Sequence, residues 1–94
     1  MNINEIKKII YEQVKKKGCF LEERKSNTTG SWYFKIFMSD KISLLFRISD
    51  HKTKKDIITL RVDHKISRDV VTRFVNNRCE DLKYRHLKSL LGIG

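Results

Sequence analysis

Apolar side chains near the start of the chain recur with helical spacing. They are isoleucine and valine residues three or four positions apart, at Ile3, Ile6, Ile10 and Val14. This spacing places them on one face of a helix. Asn2 and Glu5 resemble a capping box in which Asn replaces Ser or Thr, and Gly18 is a typical helix stop. The pattern predicts a helix over residues 3–17.

The apolar period then changes from helical to twofold. Residues 22–30, EERKSNTTG, contain no apolar side chain and are predicted to form a loop. Alternating apolar positions follow in three runs, at Trp32, Phe34, Ile36 and Met38, at Ile42, Leu44, Phe46 and Ile48, and at Ile58, Leu60 and Val62. Such alternation is typical of strands with one buried face. A turn at residues 39–41 and a hairpin through residues 50–56 would join them into a three-stranded antiparallel sheet.

The last third of the chain returns to helical spacing. Ser67 is a suitable N-cap for an apolar stripe at Val70, Val71, Phe74, Val75 and Cys79, which continues at Leu82, Leu87, Leu90 and Leu91. This region forms either one helix or two helices with a break near residues 80–81. The predicted fold is a single α+β domain over residues 1–94. Its order is α-β-β-β-α(α), with the helices packed on one face of the sheet.

Two similar segments raise the question of a metal or acid–base site. The sequence RISDHK at residues 47–52 is followed by RVDHK at residues 61–65, so each segment contains an Asp-His pair. In the predicted hairpin, His51 lies at the loop end of the sheet and His64 lies beyond the opposite end of the last strand. A rise of about 3.3 Å per residue separates the two histidines by about 20 Å. This distance excludes a shared site, and each aspartate is interpreted as a turn residue.

Charge and composition narrow the function classes. The chain has 21 Lys and Arg residues against 11 Asp and Glu residues, a net charge of +10, which favours polyanionic partners. Its two cysteines, Cys19 and Cys79, lack the spacing of a zinc site, and no cofactor, metal site or catalytic set is predicted. No apolar run approaches the roughly 20 residues of a membrane span, and the start does not resemble a signal peptide. We therefore expect a cytoplasmic protein with reduced thiols and no membrane partner.

The sheet face opposite the helices is the predicted binding surface. It combines basic, aromatic and small side chains, at Tyr33, Lys35, Phe37, Ser43, Leu45, Arg47, Ile57, Thr59 and Arg61. Such a surface suits phosphates and stacked bases. The candidate contacts on this face and in the following loop are Tyr33, Lys35, Arg47, Lys52, Lys54, Lys55 and Arg61. Two alternatives stay open: a solvated face, and a homodimer that pairs through Phe37, Leu45 and Ile57.

The element order matches that of the double-stranded-RNA-binding domain, but the motifs of that family are missing. Its second helix begins with a cluster of lysines that clamp phosphates, whereas residues 66–70 are ISRDV. Its Gly-Pro-x-His turn is also absent, since the chain contains no proline. The chain is therefore not assigned to that family.

A second resemblance rests on residues of two neighbouring predicted strands. Thr29, Ser31 and Tyr33, followed by RISDH at residues 47–51, resemble a Ser-x-Ser-x-Tyr and Arg-Ile-Ser-Asp-His pattern. This pattern is found in small proteins of phages and mobile elements, including anti-CRISPR inhibitors of type II-A RNA-guided nucleases. The resemblance covers about residues 29–75, and Thr29 departs from the usual Ser. It implies a non-enzymatic inhibitor that binds the nuclease complex or its guide RNA. The alternative is a small DNA- or RNA-binding regulatory module of a mobile element.

The residues of this pattern also have a structural interpretation. Ser31 and Tyr33 belong to the strand that is predicted to lie opposite Arg47, and Ser49, Asp50 and His51 close the predicted hairpin. We expect these side chains to form a polar cluster that positions Arg47 or holds the loop that follows it. Such a role requires no catalytic chemistry.

Overall fold

The computed structural model describes residues 1–25, 31–49, 57–62 and 66–92. Its elements are α1 (Ile3–Lys16), β1 (Phe20–Lys25), β2 (Trp32–Ser39), β3 (Ile42–Ser49), β4 (Ile58–Arg61) and α2 (Arg68–Leu91). The strands form one sheet in the order β1-β2-β3-β4, and side chains from both helices share a single apolar core with one face of that sheet. The predicted α+β class is therefore confirmed, whereas the predicted three-stranded antiparallel sheet is wrong. The sheet has four strands and is mixed.

Helix α1 forms as its sequence predicts. The Asn2 side chain accepts a hydrogen bond from the Glu5 backbone N–H at 2.9 Å, which satisfies one of the free donors of the first turn. The apolar stripe is buried against the sheet and α2, at Ile6, Ile9, Ile10 and Val14. Gly18 then adopts a φ of 72°, a left-handed conformation that reverses the chain toward β1.

Strand β1 corrects the prediction of a loop over residues 22–30. Phe20–Lys25 pairs antiparallel with β2, from Phe20 opposite Phe37 to Lys25 opposite Trp32. The strand lies at the edge of the sheet and most of its side chains are exposed. Pairing at an edge is made by backbone groups, and charged side chains are common there, so the strand needs no apolar alternation. Residues 26–30 lie outside the described part of the chain.

Strand β4 corrects the predicted hairpin through residues 50–56. It pairs parallel to β3, with Ile48 opposite Leu60 and Ser49 opposite Arg61. Two parallel strands run in the same direction. The chain that leaves the end of β3 must therefore go back by the length of β4 before β4 can pair with β3. Because β4 has only four residues, that return covers only about 10 Å. A short strand therefore makes a parallel pair compatible with a short connection.

The parallel pairing also removes the argument that places the two Asp-His pairs far apart in space. The predicted distance of about 20 Å assumed that the strands run in opposite directions. In the parallel pair, β3 and β4 end side by side, at Ser49 and Arg61. The pairs themselves, at residues 50–51 and 63–64, lie outside the described residues. Among the residues that are described, no group of three or more His, Cys, Asp or Glu side chains is arranged to hold a metal ion.

The C-terminal helical region is one continuous helix of 24 residues. The Ser67 side chain accepts a hydrogen bond from the Val70 backbone N–H at 3.4 Å, as its predicted N-cap role requires. The core-facing side chains are Val71, Val75, Cys79 and Leu82, and Gly92 ends the helix at a φ of 71°. Over the described chain, no helix has the length and hydropathy needed to cross a membrane.

The core is centred on Phe46. Its ring stacks on Phe34 at 5.1 Å between centroids and meets Phe74 of α2 edge-on at 5.5 Å. The alternating positions that were predicted to face the helices are buried at Phe34, Ile36, Leu44, Phe46, Ile48 and Leu60, and Val62 is partly buried. Twofold alternation therefore correctly predicts which sheet face meets the helices.

A buried thiol makes stability depend on alkaline pH. Burial, with a further contribution from the neighbouring Cys19 thiol, raises the pKa of the Cys79 thiol from 9.0 to about 12. The folded protein therefore keeps a proton that the unfolded chain loses above pH 9. The resulting stabilisation is complete below pH 9 and is lost progressively as the pH rises from 9 toward 12.

Cys79→Ala provides the comparison that isolates this thiol. We expect the difference in unfolding free energy between the wild type and Cys79→Ala to shrink between pH 9 and pH 11 in urea unfolding experiments. A difference that stays constant over this range would contradict a protonated thiol in the folded state.

Candidate nucleic-acid interface

The sheet face that turns away from the helices, called the open face below, is organised in rows across the strands. Residues opposite each other in the register share a face, and one row crosses all four strands through Arg24, Tyr33, Arg47 and Thr59. A second row contains Glu22, Lys35 and Leu45, and a third contains Phe20, Phe37 and Ser43. At the other end, Ser31 and Ser49 lie beside Arg61. The open face therefore changes from polar and basic at one end to aromatic at the other.

Arg47 lies at the centre of the open face but is only 3% exposed. Its Nε donates a hydrogen bond to Thr59 Oγ1 at 3.3 Å, and Tyr33 lies opposite it on β2. A buried guanidinium requires partners for its donors, because leaving a charged group unpaired away from water is costly. The burial and the bond to Thr59 favour a structural role, in which Arg47 joins β4 to the centre of the sheet.

A buried pair of serines completes the polar end. Ser31 Oγ donates a hydrogen bond to Ser49 Oγ at 3.0 Å, and both side chains are buried. They lie one row beyond the register pair Tyr33 and Arg47. The structure therefore brings together Ser31, Ser49, Tyr33 and Arg47 as the sequence predicts.

The exposed basic side chains of the open face lack acidic partners. Arg24 and Arg61 are exposed and Lys35 is half-buried, and none of these three forms an ion pair within the described chain. With Arg47, the described open face has four basic side chains, whereas Glu22 is its one carboxylate. The described open face contains no histidine or cysteine.

Several basic side chains on the helical side of the molecule are compensated instead. Ion pairs of 3.2 Å join Lys7 to Glu23, Lys17 to Glu80, Arg68 to Glu12 and Arg78 to Asp81. Exposed pairs of this kind contribute little to stability, but each one cancels a charge locally. In the described structure, the open face therefore keeps a net positive charge that no described ion pair cancels, as does the C-terminal part of α2 with Lys83, Arg85 and Lys88.

The aromatic end of the open face offers stacking surfaces. Phe20 stacks on Phe37 with 5.6 Å between the ring centroids, and Phe20 is 61% exposed. Leu45 is also exposed beside them, and Ile57, the third residue of the predicted homodimer patch, is partly buried. Nucleic-acid bases stack on exposed aromatic rings largely independently of sequence.

The predicted site residues differ in how exposed they are to solvent. Lys35 and Arg61 are accessible on the open face, Tyr33 is half-buried, and Arg47 is buried. Lys52, Lys54 and Lys55 lie outside the described residues. Arg24 and Phe20 were missed because β1 has no alternating apolar signal.

Comparisons with protein-family models, with curated proteins and with solved structures found no match to this chain. The functional conclusion therefore depends on the chemistry of the open face and on the sequence pattern described above.

Proposed function

We propose that this protein is a non-enzymatic inhibitor, encoded by a phage or mobile element, that binds an RNA-guided nuclease complex through its open face. The observation that supports this proposal is the excess of positive charge on that face beside exposed aromatic rings. A surface of this kind attracts the phosphate backbone of a guide RNA or occupies the channel in which the nuclease holds nucleic acid. Occupation of either blocks nucleic-acid binding or cleavage.

Three accessible side chains are assigned the main electrostatic role, namely Arg24, Lys35 and Arg61. Arg24 on β1 and Arg61 on β4 are separated by three strand spacings, about 14 Å across the sheet. Along one strand of a regular DNA duplex the charges are spaced by about 3.4 Å on the helix axis, so this width corresponds to about four nucleotides of such a strand. Phe20 and Phe37, at the other end of the open face, provide a surface on which a base stacks.

Size-exclusion co-elution with a type II nuclease tests the proposal directly. The protein is run with the apo nuclease, with the guide-bound nuclease and with the guide RNA alone. We expect co-elution with a form of the nuclease, and we expect Arg24→Ala/Lys35→Ala/Arg61→Ala to abolish it. For binding that involves RNA phosphates, the plot of log affinity against log salt has a negative slope, whose magnitude should decrease by about 0.7 for each lost contact.

A matched control distinguishes an effect of the open face on binding from an effect of the total charge of the protein. Lys8→Ala/Lys15→Ala/Arg73→Ala removes the same number of charges from exposed helical positions without a described ion pair. This control should retain binding. Equal losses in the two triple variants would indicate non-specific attraction and contradict the proposed interface.

A small DNA- or RNA-binding regulator of a mobile element is the second candidate. The same accessible cations favour it, because contacts to phosphates need no nuclease. It predicts co-elution with bare RNA or DNA at an affinity that the nuclease does not improve. That result would replace the inhibitor proposal by the regulator, whereas elution of the protein alone in every run would contradict both.

A further inference from the structure

The last two turns of α2 extend past the core of the domain. A helix of 24 residues is about 36 Å long, and its last buried side chain is Leu82. Beyond Leu82, the large apolar side chains of the helix are exposed, with fractions of 62% for Tyr84, 52% for Leu87, 71% for Leu90 and 64% for Leu91. These four residues are called the α2 ridge below. Clustered exposed apolar side chains of this kind are typical of interaction sites.

The α2 ridge faces away from the domain. At 100° per residue, Tyr84, Leu87 and Leu91 point about 140–180° away from the direction of Leu82, which faces the core. Their spacing of i, i+3 and i+7 forms a single stripe, and Leu90 borders it. The ridge is therefore convex and lies on the side of the molecule opposite the open face.

The border of the ridge is basic. Lys83, Arg85 and Lys88 lie within this part of the helix, and residues 82–92 contain no acidic side chain. The Arg85 Nη1 donates a hydrogen bond to the Ser43 carbonyl oxygen at 3.3 Å, and the Lys88 Nζ lies 5.4 Å from the centroid of the Tyr84 ring. The nearest acids toward the helix start, Glu80 and Asp81, pair with Lys17 and Arg78. The ridge thus presents apolar anchors with an uncompensated positive border.

We propose that the α2 ridge is a docking surface for a partner protein with an apolar groove and an acidic rim. A convex helix with anchors at i, i+3 and i+7 fits such a groove, in which it buries one apolar face. The basic border complements the acidic rim and excludes like-charged partners. This surface does not depend on the open face or on the function proposed for it.

Two other occupants fit less well. A second copy would bring the three border cations of each chain together, and each chain has a net charge of +10. A membrane surface is disfavoured by the small apolar area, because interfacial binding strengthens with buried apolar area and the ridge offers four apolar side chains over about 10 Å.

Calcium-loaded calmodulin is a suitable probe, because it has an acidic surface and opens a Met-rich apolar groove that accepts basic amphipathic helices. We expect the full chain to bind it in isothermal titration calorimetry and to lose binding when EDTA removes calcium and closes the groove. Leu87→Ala/Leu91→Ala should weaken binding by about tenfold or more. Leu45→Ala, an equally exposed leucine of the open face, should leave the affinity unchanged.

Parallel measurements identify the outcomes that overturn the proposal. Circular dichroism should show that Leu87→Ala/Leu91→Ala remains folded, because both side chains are exposed and alanine favours helix. Failure of the wild type to bind calcium-loaded calmodulin overturns the groove proposal. Binding to phosphatidylserine vesicles that requires Leu87 and Leu91 replaces it by a membrane surface. A dimer in light scattering that these substitutions dissociate replaces it by self-association.

Discussion

Replacing Phe46 by alanine is expected to lower the free energy of unfolding by about 3–5 kcal/mol. Phe46 is fully buried, and its ring contacts Phe34 and Phe74, so it connects β3 to both β2 and α2. Truncation removes the apolar burial of the ring, breaks both aromatic contacts and leaves a cavity. Domains of this kind have total stabilities of about 5–15 kcal/mol, so the loss should be visible as a large shift of the urea midpoint.

Phe20→Ala provides a matched control for the Phe46 variant. It makes the same chemical change on the open face, where the ring is mostly exposed and stacks on Phe37. We expect it to cost about 1.5 kcal/mol or less, which is the usual value of an aromatic pair. Similar midpoint shifts for the two variants, monitored by circular dichroism, would contradict the placement of Phe46 in the core.

The elements that the sequence predicts correctly are those that bury one face. In β2 and β3, alternation places Phe34, Ile36, Leu44 and Phe46 toward the helices, and all four are buried. Burial selects apolar residues at a fixed period, so the pattern of the sequence retains the direction of each side chain. The Ser67 cap was predictable for a related reason, since few residue types satisfy the free donors of a first helical turn.

Two features of the fold, strand β1 and the direction of strand β4, leave no such pattern in the sequence. Strand β1 is held by backbone hydrogen bonds at an edge, so EERK at residues 22–25 can pair without any apolar alternation. The direction of β4 is also hidden, because Ile58, Leu60 and Val62 alternate identically in a parallel and an antiparallel strand. Both features depend on pairing with the neighbouring strand, β2 for β1 and β3 for β4. The apolar pattern of a single sequence encodes neither that an edge strand pairs nor the direction in which a strand pairs.

The candidate site shows the same division. Alternation correctly assigns Lys35, Arg47 and Arg61 to the face away from the helices. It does not distinguish the buried Arg47 from the exposed Arg61, because burial within a face depends on the neighbours across the sheet. One such neighbour is Thr59, which lies opposite Arg47 in the register of β3 and β4 and accepts its Nε–H.

Arg47→Ala is therefore expected to destabilise the fold, by about 2–4 kcal/mol. A hydrogen bond to a charged group contributes about 1.5–3 kcal/mol, and loss of the buried aliphatic stem adds a packing cost. Truncation also removes the donor that Thr59 Oγ1 accepts from, at the only described edge that holds β4. Arg61→Ala removes the same charge from an exposed position of β4 and should change the unfolding free energy by about 0.5 kcal/mol or less.

Arg47→Lys distinguishes a structural arginine from a phosphate contact. Lysine keeps the positive charge but lacks the planar fork, so it does not replace the Nε donor that reaches Thr59. A structural role predicts that Arg47→Lys loses much of the stability that Arg47→Ala loses, in urea unfolding. A phosphate contact predicts instead that Arg47→Lys keeps both stability and binding to guide RNA or to the nuclease complex. Because Arg61 is exposed, Arg61→Ala should show the opposite profile, with weaker binding and unchanged stability. An Arg47 variant with weaker binding and unchanged stability would contradict the structural role of Arg47.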